Sequence, residues 1–297
     1  MPSSGFVSVV GRPNVGKSTL INRVVGQKIS IVTPKPQTTR NRILAIANPP
    51  GGQILFFDTP GIHKPQHQMN RFMVEAAVSS LTQVDLVALM VDVTEPQGRG
   101  DDFVLEVIRK VRVPVFLLLN KVDRVSKESL LPLIDQYRTR HAFAEIVPLS
   151  ALTGENVDRL VELLLKYLPQ GPPLYPPDAL TDLPERFLAA ERVREKILLF
   201  TRDEIPYSTA VRIDSWEDKP RLTRIEASIL VERDSQKGIL IGREGEMLRK
   251  IGTAARQDLE SFLGTRVYLG LHVTVREHWR EDRRLLRELG IEPPRSG

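Results

Sequence analysis

The chain predicts an α/β domain with a mostly parallel sheet and helices on both faces, followed by a smaller α+β domain. Three observations lead there. Short aliphatic runs alternate with longer amphipathic stretches from residue 6 to about 168, a proline-dense segment follows, and beyond it the pattern changes to an α-β-β-α-α-β order. The aliphatic runs are FVSVV, RILAIA, ILFFD, LVALMVD, VFLLLN and EIVPLS. They are nearly unbroken by polar residues, as expected of strands covered on both sides. Helical periodicity fits 17–25, 69–82, 101–111, 126–140 and 155–167.

In LPQGPPLYPPDALTDLP the prolines remove donors and fix φ too densely for helix or strand to propagate. The organisation expected is therefore a first domain over 1–168, a linker over 169–184 and a second domain over 185–297. In the second domain, helices are expected at 186–202, 235–241, 246–263 and 279–289, and strands at 209–217, 222–233 and 267–275.

The chain has 297 residues, 41% of them hydrophobic, and can bury a sizeable core. It has no cysteine, which excludes disulfides and thiolate metal sites. No apolar run is long enough to span a bilayer and no basic leader precedes the first strand, so a cytoplasmic location is expected. The net charge of +5 permits a polyanionic partner. The excess is not concentrated in the second domain, so a nucleic-acid role there must rest on patterned charge.

Gly11-Arg12-Pro13-Asn14-Val15-Gly16-Lys17-Ser18 matches the phosphate-cradling pattern G-x-x-x-x-G-K-[ST], and Thr19 follows it. The motif lies after a strand and opens a helix, where inward backbone N–H groups and the helix N-terminus favour an anion. Lys17 is expected on the β/γ-phosphate oxygens and the Ser18 hydroxyl on Mg²⁺. Asp58-Thr59-Pro60-Gly61 ends the strand ILFFD at the same sheet edge. This makes Asp58 the second anchor for Mg²⁺ and gives Gly61 a backbone N–H for the γ-phosphate.

Asn120-Lys121-Val122-Asp123 ends the strand VFLLLN and sets the base. A carboxylate at Asp123 accepts from guanine N1–H and its 2-amino group, whereas adenine leaves it unpaired, which favours GTP/GDP over ATP. Ser150-Ala151-Leu152 offers a backbone turn whose N–H can reach guanine O6. Residues 34–42, PKPQTTRNR, are polar without apolar period and are expected to form a mobile loop.

In this order the motifs resemble the translation-factor-related GTPases. The resemblance implies a first switch around Thr39, chosen over Thr38 to complete the Mg²⁺ shell, and a second switch following Gly61. Ras-like enzymes carry glutamine after Asp-x-x-Gly, but Ile62 stands here and cannot orient water. The catalytic base is thus unknown. Phosphate stabilisation falls to Lys17, Thr39 and Gly61, and the intrinsic rate should be slow. In some relatives an asparagine at the position of Asn14 helps to hold K⁺, which makes K⁺ a further candidate ion.

Gly242-Arg243-Glu244-Gly245 joins two helical segments within the α-β-β-α-α-β unit, the context in which a GXXG loop clamps single-stranded RNA in KH domains. Lys237, Arg249, Lys250 and Arg256 surround it, and Arg249 and Arg256, seven apart, share a helix face. Glu244 and Glu246 weaken the local field.

The arrangement of one GTPase domain and one type II KH domain, with QTTRNR and the closing VTVREHWREDRRLLRELG, resembles the bacterial Era GTPases over nearly the whole chain. This implies a monomeric, Mg²⁺-dependent GTPase that binds the 3′ end of 16S rRNA in assembly of the small (30S) ribosomal subunit. An alternative is a membrane-surface or signalling GTPase whose second domain binds protein. The amphipathic segment 276–287 then touches anionic lipid at the inner face of the cell membrane.

Overall fold

The structure is a computed structural model and describes residues 1–62 and 68–291. The first domain is built on strands β1 (Ser3–Val10), β2 (Ile43–Ala47), β3 (Gly52–Asp58), β4 (Leu86–Asp92), β5 (Val115–Asn120) and β6 (Glu145–Leu149). They form one sheet in the order β2-β3-β1-β4-β5-β6, with β2 antiparallel to β3 and every other pairing parallel. Helices α1 (Lys17–Val25), α2 (Gln68–Ser79), α3 (Arg99–Ile108), α4 (Leu130–Arg138) and α5 (Val157–Tyr167) cover it. Alternate residues of β1 serve opposite cores: Val7 and Val9 pack with Leu20 and Leu160, while Val10 packs with Leu89 and Ile108. This two-sided burial explains the unbroken aliphatic runs.

The second domain comprises α6 (Glu185–Phe200), the short α7 (Ile205–Ser208), β7 (Ala210–Lys219), β8 (Leu222–Val231), α8 (Asp234–Ile241), α9 (Glu246–Leu263), β9 (Arg266–Val275) and α10 (Arg283–Glu288). Its sheet order is β7-β8-β9, antiparallel then parallel. Ala189, Val193 and Ile197 of α6 and Ile251, Ala255 and Leu259 of α9 close one face over Ile225, Ala227 and Ile229. The stretch expected as a single helix over 279–289 is instead a 3₁₀ turn followed by α10, separated at Asp282. Its carboxylate caps the N–H groups of Arg284 and Leu285.

Residues 169–184 form no helix and, apart from an isolated bridge between Ser3 and Gln170, no strand, yet they are fastened along the first domain. Pro169 O accepts from Ser4 N and Leu180 O from Ile46 N, and the Gln53 side chain accepts from the N–H groups of Leu174 and Tyr175. Prolines cannot donate, so the segment bonds through its carbonyls and its few free amides. It thereby shields β2, an edge strand of the sheet.

The 34–42 loop, expected to be mobile, lies between the two domains. It has no regular structure, but Thr38, Thr39 and Arg40 are buried against the second domain. Arg40 donates to Thr209 O at 2.6 Å and Pro206 O at 2.9 Å, and Arg194 of α6 donates to Thr38 O. A second contact is ionic: Lys28 meets Glu195 at 2.6 Å and Asp258 at 2.7 Å, and Asp258 also pairs with Arg192 and Lys196. Burial alone would raise the Asp258 carboxyl, but Lys196, Lys28 and Arg192 outweigh it and hold the pKa down to about 2.

A third contact is apolar. Met69 and Met73 of α2 pack with Trp279, Leu285 and Leu286. Segment 276–287 therefore turns its apolar side chains inward and keeps no apolar face for lipid. Among the described residues no helix is long and apolar enough to cross a membrane.

Trp279 is fully buried and its Nε1 donates to Ser208 O at 2.9 Å. Trp279→Ala should lower unfolding free energy by about 3–5 kcal/mol, the usual cost of emptying such a site, as read by urea denaturation.

Candidate functional site

Residues 11–16 connect β1 to α1 at the C-terminal edge of the sheet, where the strand order reverses around β1. Lys17 starts α1. Its buried ammonium donates to Arg12 O at 3.0 Å and Gly11 O at 3.3 Å. Burial pulls its pKa down to about 8, with the Asp58 charge opposing the shift.

Ser18 Oγ donates to Asp58 Oδ2 at 2.6 Å and lies 3.0 Å from Thr39 Oγ1. The three expected Mg²⁺ ligands, from three separate segments, are thus brought together. Asp58 is fully buried, and its Oδ1 has no hydrogen-bond partner. Burial raises its pKa, against the Ser18 hydrogen bond and the Lys17 charge. An orphaned carboxylate oxygen beside two hydroxyls fits a hard cation. Among the described residues no group of three His, Cys, Asp or Glu could hold a metal instead. A single carboxylate suits Mg²⁺, which takes most of its remaining ligands from phosphate and water. When bound, Mg²⁺ neutralises charge developing between the β- and γ-phosphates.

Gly61 lies directly on the phosphate loop. A Cβ there would fall 2.5 Å from Pro13 N, so only glycine permits this approach. Ile62 is fully buried with Val10, Leu44 and Leu89, which removes it from any role in placing water. The second switch expected after Gly61 runs into residues 63–67, outside the described residues.

Within the phosphate loop the side chains divide. Asn14 Nδ2 donates to Pro34 O at 2.9 Å and ties the loop to the first switch, while Pro13, Gly16 and Thr19 line the same cleft as Thr38 and Thr39. Arg12 turns away to Asp101 at 3.1 Å and Glu95 at 3.3 Å and can serve phosphate only through its backbone. Val15 is buried and offers its carbonyl to Asn120 Nδ2 at 2.7 Å.

Asn120 also accepts from Ala151 N at 2.9 Å, clamping the phosphate loop to the Ser150-Ala151 turn. Ser150 N donates to Glu155 O at 3.0 Å, so the amides of Ser150 and Ala151 both meet acceptors within the protein. Lys121 pairs with Asp92. Asp123, the residue expected to read the base, is exposed at the 3₁₀ turn that follows β5.

In the second domain, Gly242 has φ of 71° and Gly245 φ of 79°, and a Cβ on Gly242 would press within 2.9 Å of Met247 N. Arg243 and Glu244 are exposed between them. Gly245, Arg249 and Arg256 line a groove between α9 and β9 floored by Leu269 and Leu271. Lys250 does not join them, because its ammonium sits 4.5 Å from the Phe200 ring on the α6 side. Lys237, on α8, is half-buried and does not line this groove.

Sequence reasoning missed Gly252 and Thr253 as groove residues, although a glycine inside a helix, seven residues from Gly245, was a readable sign of close approach. It also gave no role to Arg40 or Arg194. Nothing local distinguishes these arginines from solvated ones.

A phosphate loop on a doubly wound sheet, a convergent Mg²⁺ donor set and a groove-bearing α+β unit define a P-loop GTPase joined to a KH domain. The family models agree: "50S ribosome-binding GTPase" matches residues 6–121, and "KH domain" matches 204–280. GTPase Era of Geobacter metallireducens is 54% identical over 97% of each chain, and that of Staphylococcus haemolyticus 48% identical over 97% of this chain and 96% of its own. The chain belongs to the Era GTPase family.

Two solved structures match the whole architecture. One, of Era in complex with MgGDPNP and nucleotides 1506–1542 of 16S ribosomal RNA, is 44% identical and covers 98% of this chain and 100% of its own, with a TM-score of 0.95. The other, a tyrosine-to-alanine variant of Aquifex aeolicus Era bound to GDP and aluminium fluoride, is also 44% identical and covers 98% and 99%, with a TM-score of 0.94.

Because burial brings Lys17 down to about 8 and a bound phosphate raises it, GDP binding should take up roughly one proton at about pH 9 and progressively less down to about pH 7.5, a range in which the GDP phosphates are already ionised. Calorimetry in buffers of different ionisation enthalpy reads this, and Lys17→Ala should abolish the difference.

Proposed function

We propose that this protein is a Mg²⁺-dependent GTPase switch of the cytoplasm that binds single-stranded RNA at the 3′ end of 16S rRNA during small-subunit assembly. The observation that carries the reading is the pairing of two sites in one chain. The Ser18-Thr39-Asp58 cluster suits Mg²⁺ and nucleotide. The groove at Gly245, Arg249 and Arg256 suits a phosphodiester backbone against an apolar floor. The relative solved with MgGDPNP and 16S rRNA nucleotides holds both ligand classes, which favours the small subunit over the large subunit named in the broader family description. A lipid-binding role finds no support, since Trp279, Leu285 and Leu286 are buried inside the protein.

The site roles belong to the same reading. Lys17, Thr39 and Gly61 stabilise the γ-phosphate, Ser18, Thr39 and Asp58 hold Mg²⁺, and Asp123 selects guanine. Limits of 1–168 for the nucleotide domain and 185–297 for the RNA domain accord with the two sheets, each with its own core. The 169–184 segment serves as a strap on the first domain rather than a free tether.

Anisotropy of a labelled RNA copying the 16S 3′ end, against a scrambled control, tests the RNA reading. Selective binding is expected. Arg249→Ala with Arg256→Ala should reduce the slope of log affinity against log salt by about 1.4, two phosphate contacts on a single strand. Equal affinity for both RNAs would overturn it.

K⁺ beside Asn14 is the remaining element. Hydrolysis should be faster in KCl than in NaCl at equal ionic strength, and Asn14→Ala should erase the difference. Equal rates in the two salts for the unmodified protein would remove K⁺ from the scheme.

A further inference from the structure

We propose that Arg194, a KH-domain residue, is a positioning residue for the switch threonine of the GTPase reaction, holding Thr39 over the Mg²⁺ site through the backbone of Thr38. The proposal rests on the GTPase reading and adds a residue from the other domain to its machinery.

Thr39 sits between two neighbours that are both anchored across the domain interface. On one side, Arg194 Nη2 donates to Thr38 O. On the other, the Arg40 guanidinium is held by Thr209 O at 2.6 Å and Pro206 O at 2.9 Å. With its neighbours fixed, the Thr39 hydroxyl stays within 3.0 Å of Ser18 Oγ, and it cannot swing away unless one anchor breaks.

Arg194 is built for a fixed position. Its side chain is 2% exposed, and Glu191, one helical turn away, orients it by accepting from Nε at 2.7 Å. Its Nη1 is buried without an acceptor, so the guanidinium is not placed to satisfy its own hydrogen bonds best. What it secures is a switch carbonyl next to a metal ligand.

A residue acting through Thr39 affects only states in which Thr39 is a ligand, those with a γ-phosphate. The test compares full-length protein with Arg194→Ala, Arg194→Lys, and the charge-neutral pair Arg194→Met with Glu191→Gln, which removes the ion pair without leaving Glu191 buried alone. Mg²⁺-dependent affinity for a non-hydrolysable GTP analogue should fall about tenfold or more in the Ala and paired variants, the range of one charged hydrogen bond. GDP affinity should stay within about twofold. Hydrogen exchange at the amides of 37–41 in the analogue-bound state should rise in both, and Lys should restore part of each effect.

A folded variant whose analogue-to-GDP affinity ratio and switch exchange match the unmodified protein would overturn the proposal, as would equal losses for both nucleotides. Failure of the unmodified protein to prefer guanine nucleotides would overturn the GTPase reading beneath it, an outcome separable because it appears before any variant is made.

Discussion

The Arg40 guanidinium, withdrawn from water between the two domains, is the interaction on which the rest of the arrangement depends. A buried guanidinium is tolerated only where acceptors replace its hydration. Here they are Thr209 O and Pro206 O, at and just beyond the four-residue helix α7, where carbonyls lack intrahelical partners. Burial and the nearby Arg194 charge lower the Arg40 pKa to about 9, which still leaves it charged at neutral pH. A short helix end in one domain thus sets the backbone position of the 34–42 loop in the other.

The nucleotide site itself is electrostatically incomplete in a directed way. Lys17 and Asp58 are both buried, the first shifted down and the second up, because neither has enough compensation from the other. An anion at the ammonium and a cation at the carboxylate relieve both at once, and magnesium with a phosphate chain supplies that pair. Around this centre the rigid parts are tied to each other: Asn120 bridges the phosphate loop and the Ser150-Ala151 turn, while Asn14 links the phosphate loop to Pro34.

Helix α9 extends the same logic across the molecule. Its start adjoins Gly245 and the groove between α9 and β9, and near its end Asp258 holds Lys28, just after α1 of the first domain. The two functional surfaces are therefore joined by one helix and an ion network, not only by the covalent strap. Met69 and Met73 against Trp279 add the apolar counterpart on the side of α2.

Much of this was legible in the chain itself. Two-sided burial leaves aliphatic runs, a phosphate loop needs its glycines and lysine in one order, and a GXXG turn needs residues tolerant of positive φ. The strands and the helix over 246–263 follow from such local rules. What only the tertiary structure decided is everything set by contact between distant segments. The 34–42 loop, polar and without period, became a buried interface because Arg40 and Thr38 find partners more than 150 residues away. Likewise Lys250 left the groove for Phe200, and residues 169–184 became an edge-strand cover. Local pattern reports which residues favour helix, strand or turn. It carries no record of which distant carbonyl will meet which guanidinium.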